Sequence, residues 1–380
     1  MTSDRLVVLQ LVANRWWTGS ADPVIQLSRG LRERGHRVLL GLIRGDRFED
    51  KARESGFSPI DGLSLEAKGN PLGIARDLRR LRELVQTESV DVVHAHHSHD
   101  HWLGWLCRGR AALVRSFHSA RAVRQGWPSS ALYRRTDASI AVSDEIQARC
   151  LSSGVAAERM AQVDGVTDVG RFAGGGGGDA IRKELALGSG PVLGCVARLA
   201  ARRGHETLIR AFALVHQRHP DARLLLIGKG ELRQRLESLR HDLGLDEQVL
   251  MTGYRDTDLP AVLDAMDAFV LVGAGSDESC RAVLEAMAAA RPVVARRVGA
   301  LGQTVLPGVT GLLVDDERPE SLARALETLV ANPEQARMLG RAGQQRALSL
   351  FTPERHAGQV EAVYRQALVR AGSRQGKRPG

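Results

Sequence analysis

Residues 267–295 read DAFVLVGAGSDESCRAVLEAMAAARPVVA. An apolar, β-branched run, DAFVLVG, feeds a polar turn. A helical pattern carrying Glu285 follows, and then a second short strand, PVVA. The same alternation extends outward in both directions. Toward the N-terminus of this half lie the strand candidates PVLGCVA, RLLLIG and QVLMTG, and toward the C-terminus GLLV. Helical stretches such as GHETLIRAFALVHQRH stand between them. The first half repeats the pattern with RLVVLQLV, RVLLGLI, VDVVHA, ALVRSF and SIAVS. Alternating strand and helix implies parallel sheets with helices on both faces.

The two halves meet at GRFAGGGGGDAIRKEL, where Gly174 to Gly178 form an unbroken glycine run. Such a run reads as a flexible linker. The expected organisation is therefore a first doubly wound domain over residues 1–173, a linker over 174–180 and a second such domain over 181–355. A C-terminal helix over 356–372, following a Thr-Pro-Glu start signal, packs back on the first domain, and 373–380 form a disordered tail.

The bulk composition is that of an ordinary globular protein. Of 380 residues, 43% are hydrophobic and 26% charged, enough for two substantial cores. The four cysteines, Cys107, Cys150, Cys195 and Cys280, are far apart and form no CxxC pair, so they read as free thiols of a reducing compartment. No apolar run approaches the roughly 20 residues of a spanning helix. The N-terminus also lacks a basic head and cleavage site, and the expected location is cytoplasmic. The formal net charge of +9 favours anionic partners: phosphorylated small molecules, acidic acceptors or an anionic lipid surface. Its arginines lie along solvated helix faces without interleaved aromatics, which argues against nucleic acid.

DVVHAHHSHDHW, residues 91–102, holds five of the twelve histidines. It nearly matches the metallo-hydrolase pattern His-x-His-x-Asp-His. However, His97-Ser98-His99-Asp100-His101 is one residue short, and the frame of correct length puts Ser98 where the carboxylate belongs. A zinc site is the weaker reading and no metal is expected. VDVVHAH instead reads as a buried strand whose carboxyl end, at His94 and His96, faces a ligand, as strand ends do in open parallel sheets. His118, after ALVRSF, shares that edge. Thr18, Gly19 and Ser20 form a small turn that a ligand can approach closely, before a helix start at Asp22-Pro23.

In the second half, Arg198 ends a strand and Arg203 precedes Gly204 at a helix start. Together they suit a diphosphate, because each guanidinium can bind two oxygens. Gly228-Lys229-Gly230 is a tight strand-to-helix turn without the third glycine of a dinucleotide fingerprint. The backbone amides near Ser279 and Cys280 can hold an anion, and Glu285 can accept from sugar hydroxyls.

Taken in order, the opening turn with RGLRERGHRV, VHAH, the element ending in His118, VDGVTDVGRF, ARLAARRGH, LLLIGKGEL, VLMTGYRDTDLP, DAFVLV, LEAMAAARPVVA and GVTGLLV resemble one family over nearly the whole chain. It is the large group of retaining GT-B glycosyltransferases that includes mannosyl-, glucosyl- and heptosyltransferases (glycosyltransferase family 4, glycosyl transferases group 1). The resemblance implies two Rossmann-like domains with a cleft between them and a C-terminal crossing helix. It also implies transfer of a sugar from a nucleotide diphosphate sugar to a hydroxyl acceptor, with domain closure, no cofactor and no metal. Donor binding falls on Arg198, Arg203, Gly228, Lys229, Gly230, Ser279, Cys280, Arg281 and Glu285. The acceptor side falls on Thr18, Gly19, Ser20, His94 and His96, and the reaction centre on His118 with Asp277 or Glu278.

This sequence departs from the family pattern at several of these positions. Asp277 stands where the family has the first of two glutamates, Arg203 replaces a lysine, Thr18-Gly19 replaces Gly-Gly, and Asp164 replaces an asparagine. The implied setting is synthesis of an envelope glycolipid, lipopolysaccharide or polysaccharide, by an enzyme peripheral to the inner face of a membrane. A sugar-nucleotide 2-epimerase of the same fold, or a membrane-surface binding protein with impaired catalysis, are the alternatives.

Overall fold

The computed structural model describes residues 5–14, 21–66, 70–275 and 278–375. These residues form two compact units. One comprises the chain up to Val166 together with the chain from Pro353 onward, and the other comprises Thr167–Thr352.

The first unit is built on a six-stranded sheet: β1 (Val7–Val12), β2 (Arg37–Leu42), β3 (Val92–Ala95), β4 (Ala112–Phe117), β5 (Ala138–Ala141) and β6 (Met160–Gln162). Their order is β2-β1-β3-β4-β5-β6 and every pairing is parallel. The central strands are buried along their whole length, as a sheet covered on both faces requires. Leu9, Leu11, Val93 and Leu113 pack against helices Pro71–Thr87 and Ser98–Cys107 on one face. Val8, Val92 and Val114 meet the C-terminal helix, Pro353–Gln375, on the other through Ala357, Val360 and Tyr364. Helix Asp22–Glu33 lies close beside that helix at Gly30, where an added Cβ would overlap the Pro353 carbonyl.

The second unit repeats the plan with β7 (Val192–Val196), β8 (Arg223–Ile227), β9 (Val249–Gly253), β10 (Ala268–Leu271), β11 (Val293–Arg296) and β12 (Gly311–Val314). Their order is β12-β11-β10-β7-β8-β9, again all parallel. The opening stretch of sequence becomes β10, helix Arg281–Ala288 and β11 of this sheet.

Three sequence expectations change. The break between units falls at Val166/Thr167 and again at Thr352/Pro353, not within 174–180. The glycine run is anchored inside the second unit. Gly175, Gly176 and Gly177 take left-handed φ values of 57°, 101° and 89°. The amides of Gly176 and Gly178 donate to the Asp264 carboxylate at 3.0 and 3.1 Å, and Gly178 begins helix Gly178–Glu184. The glycines serve a tight anchored turn, not a loose tether. The C-terminal helix continues through Gln375, so 373–375 of the expected tail are helical, with Ser373 Oγ donating to the Val369 carbonyl at 3.0 Å. Residues 376–380 lie outside the described residues. The short strand β6, which has no counterpart in the sequence reading, is a half-exposed edge of three residues.

Candidate functional site

In each sheet the chain runs from its first strand to one edge and then crosses to the other side of that first strand. The point of reversal leaves a crevice at the carboxyl ends of the two strands flanking it, and ligands bind there in open parallel sheets. In the second unit those strands are β7 and β10, and in the first they are β1 and β3.

At the β7/β10 reversal, three loops close on one another with no room for extra atoms. The amide of Ala197 donates to the Ile227 carbonyl at 3.0 Å and that of Leu199 to the Lys229 carbonyl at 3.0 Å. Gly228 and Gly230 flank Lys229, and a Cβ on either would overlap the carbonyl of Ala197 or Leu199. Lys229 is thereby fixed at the surface, exposed. The loop after β10 approaches the loop after β7 at Arg203, where a Cβ on Gly275 would overlap the guanidinium itself. Arg203 thus stands against the strand crossover, one residue before Gly204 and the start of helix His205–Arg218. Arg198 is far more open, 68% exposed, and pairs with Glu231 at 3.1 Å. Behind Arg203 the buried His205 ring is held down at about 4, first by burial and then by the Arg203 charge.

The carboxylate helix opens on an unusual residue. Cys280, the residue before helix Arg281–Ala288, takes φ 52°, a left-handed conformation costly for a side chain and frequent at functional sites. It turns the chain so that Glu278, Ser279 and Cys280 are buried just ahead of the helix N-terminus. The Glu278 carbonyl accepts from the Ala300 amide at 2.8 Å. Glu285 is also buried and lies 3.4 Å from Arg281 Nε, one helical turn earlier. Asp277, and with it the choice between Asp277 and Glu278, lies outside the described residues, as do Thr18, Gly19 and Ser20.

At the β1/β3 reversal the histidines are turned inward. His94 is wholly buried, with Nδ1 2.7 Å from Tyr364 Oη and Nε2 2.8 Å from Ser116 Oγ. His96 is also buried, with Nε2 2.7 Å from Gln10 Oε1 and Nδ1 3.1 Å from His118 Nε2. Both rings spend both nitrogens on protein partners. The expectation that His94 and His96 line the acceptor surface is therefore corrected: both face the protein interior, and His96 contacts His118. Burial, with the neighbouring charges of Arg115 and His356, holds His94 down to about 3. Burial, then nearby His97, Arg115, His94 and His356, lowers His118 in the same direction. These imidazoles are neutral at pH 7.

The carboxylate of the near-metal pattern, Asp100, is also committed. Its oxygens accept from the amides of His96 at 3.1 Å, His97 at 2.8 Å and Ala13 at 3.3 Å, capping helix Ser98–Cys107. Among the described residues, no group of three or more His, Cys, Asp or Glu side chains is placed to hold a metal ion. Among them, too, no helix is long and apolar enough to cross a membrane.

The structure thus brings Arg203, Lys229, Gly228, Gly230 and Gly275 to one strand-end crevice, and His118, His96 and His94 to another. It adds Gln10, Ser116, Tyr364 and Glu231, which the sequence reading did not single out. Gln10 had a signal, a polar residue inside an apolar strand. Tyr364 had none, because its partners lie 270 and 354 positions away.

Comparison with known proteins agrees with this fold. Residues 18–170 match the model of Glycosyltransferase Family 4, and residues 179–346 match Glycosyl transferases group 1. A GDP-mannose-dependent alpha-(1-6)-phosphatidylinositol monomannoside mannosyltransferase of Mycobacterium tuberculosis is 30% identical over 324 residues, covering 79% of this chain and 81% of the relative. A D-inositol 3-phosphate glycosyltransferase of Segniliparus rotundus is 31% identical over 345 residues, covering 82% and 74%. The crystal structure of Anabaena Alr3699/HepE in complex with UDP and glucose superposes with a TM-score of 0.81 at 21% identity, covering 93% of this chain and 98% of that one. That likeness shows the fold, two Rossmann-like units of the GT-B kind.

Proposed function

The chain belongs to the family 4, group 1 glycosyltransferases, and on that footing we propose that it moves a hexosyl group from a nucleoside diphosphate sugar to a hydroxyl of a phosphate-bearing acceptor, with retention at the anomeric carbon and without a divalent metal. The observation that carries this reading is the Arg203 guanidinium wedged against Gly275 at the β7/β10 reversal, beside a helix N-terminus. A fixed cation there meets the charge that develops on a departing diphosphate, and it pays no reorganisation cost during the reaction. Arg198 adds a second, mobile cation that exchanges Glu231 for phosphate oxygens, and Lys229 a third at the rim. Glu285 accepts from the ribose hydroxyls, and Glu278 or Asp277 holds the transferred sugar. Ser279, Cys280 and Arg281 shape the anion-facing start of that helix. In the first unit, His118 contacts a substrate hydroxyl, with Thr18, Gly19 and Ser20 on the acceptor side.

The sharpest form of the proposal takes GDP-mannose as donor, because the Mycobacterium tuberculosis relative is named for it. Both relatives are named for acceptors containing phosphorylated inositol, and a net charge of +9 suits such an acceptor or its lipid-borne form at an anionic membrane face. An envelope glycolipid fits that description.

The test is a panel of GDP-, UDP- and ADP-sugars with inositol phosphate and phosphatidylinositol acceptors, run in EDTA, with the product's anomeric configuration read by NMR. The expected result is an α-linked product from an α-linked donor, at a rate that chelation leaves unchanged. Inversion, loss of activity on chelation with recovery on adding magnesium, or acceptor-independent conversion of the donor to its 2-epimer each overturns part of the reading.

A further inference from the structure

Helix Ser98–Cys107 begins just beyond β3, at the mouth of the first unit's crevice, and its outer side carries an apolar ridge. Trp102 and Leu106, one helical turn apart, are 37% and 41% exposed, and the half-buried Trp105 stands beside them. The Trp102 and Trp105 rings meet nearly at right angles, with centroids 5.8 Å apart. Contiguous apolar area of this kind, held in water, marks a surface that meets something else.

Cations border the ridge, in a pairing that sequence spacing does not show. Arg135 lies over the Trp105 ring, 5.9 Å from its centroid. Arg82, from helix Pro71–Thr87, donates from Nε to the Leu106 carbonyl at 3.1 Å. Arg135 also closes helix Trp127–Arg134, whose first residue, Trp127, is 79% exposed. From His101 to Thr136 the sequence holds seven arginines, three of the five tryptophans and no Asp or Glu. Arg108 and Arg115 of this segment are buried, and its other arginines are exposed. The occupant that matches is anionic. Base stacking needs open ring faces, whereas Trp105 is covered by Arg135 and set against Trp102, with aliphatic Leu106 alongside. That arrangement suits a lipid headgroup layer better than a nucleic acid.

We propose that the outer side of helix Ser98–Cys107, with Arg82, Arg135 and Trp127, is the surface by which the first unit docks on an anionic bilayer. The arginines meet lipid phosphates, the tryptophan rings settle at headgroup level, and Leu106 reaches the acyl boundary. Because the helix starts at the crevice, docking holds the crevice mouth beside the headgroups. The effect on turnover rests on the reading of a lipid-borne acceptor. Adsorption to the bilayer does not.

Sedimentation of the full chain with phosphatidylglycerol or phosphatidylcholine vesicles tests this with neither donor nor acceptor present. Wild type is expected to bind the anionic vesicles about tenfold more tightly, and brominated acyl chains are expected to quench its tryptophan fluorescence. Trp102→Ser combined with Leu106→Ser is expected to weaken anionic-vesicle binding about tenfold, with nucleoside diphosphate affinity kept within about twofold. Trp127→Ser, at a ring already in water, and Arg135→Gln are each expected to weaken it about fivefold, and they carry the test if the double variant does not fold. Unchanged vesicle binding in the variants that fold places the membrane contact elsewhere and overturns the proposal. Absence of wild-type binding to anionic vesicles overturns it too, whether or not polyuridylate or polyglutamate binds this face instead. Docking that these variants weaken, in a protein that transfers no sugar to phosphatidylinositol, upholds the surface and removes only the acceptor reading.

Discussion

The two sheets share a winding plan, yet their strand-end crevices are finished in opposite ways. At β1/β3 the chain buries neutral imidazoles, an amide, a phenol and a hydroxyl in a closed chain of hydrogen bonds. At β7/β10 it sets cations on glycine-tight turns, where Arg198 and Lys229 face solvent. The contrast suits the ligands proposed for each crevice. A diphosphate is bound by permanent charge, whereas a sugar or polyol hydroxyl is oriented by a hydrogen-bonding group. One topology supplies the crevice, and the side chains at its edge decide the chemistry.

The largest effect that can sharpen this comparison is acid sensitivity. His94, His96, His101, His118 and His356 of the first unit are all held below their ordinary value, chiefly by burial. In the second unit, His205 shows the same depression. Because the folded values are depressed, the unfolded chain binds protons first. The stability tied to neutral histidine is complete above about pH 6.5 and drains away as the pH falls toward the folded values. Each such histidine is worth at most about 2 kcal/mol between pH 6.5 and 5. Hydrogen exchange read by mass spectrometry from pH 7 to 4.5 should show the first unit losing protection before the second. Earlier loss in the second unit would break the contrast.

Next in size is His118→Ala. If His118 meets the reacting substrate, kcat should fall on the order of 100-fold while nucleotide affinity is kept. Steady-state kinetics with a saturating donor decides it, and a change confined to donor KM would move His118 to the wrong side of the comparison. Glu285→Gln is expected to weaken nucleoside diphosphate binding by about 1–3 kcal/mol, because buried hydroxyl partners are left poorly paired. Unchanged affinity would reduce Glu285 to a partner of Arg281. The smallest expected effect is at the surface. If the net charge of +9 draws the protein to anionic lipid, sedimentation with anionic vesicles should exceed that with neutral ones and fall as salt rises. Equal sedimentation with both removes the membrane from the proposal.

How far each region could be read from sequence follows from the same contrast. The cation side was readable because its parts are local. Arg203 precedes a glycine at a helix start, Gly228 and Gly230 flank Lys229, and the helix carrying Glu285 is the next element after its strand. The imidazole side was only half readable. DVVHAH announced a strand end, but the residues that turn His94 and His96 inward come from β1, β4 and a helix hundreds of positions away. Tyr364 looks, in sequence, like any apolar position of an amphipathic helix. The glycine run misled for a related reason. Glycine permits both a loose tether and a tight left-handed turn, and the Asp264 carboxylate that selects the turn lies 86 and 88 positions away.

Calorimetric titration of a nucleoside diphosphate into wild type, Arg203→Ala and His118→Ala, side by side, tests most directly whether the two crevices divide the work. Arg203→Ala is expected to lose about 2 kcal/mol of binding, the scale of a charge-assisted hydrogen bond, and His118→Ala to bind as wild type does. Equal losses in both variants, or unchanged affinity in Arg203→Ala, would contradict that division.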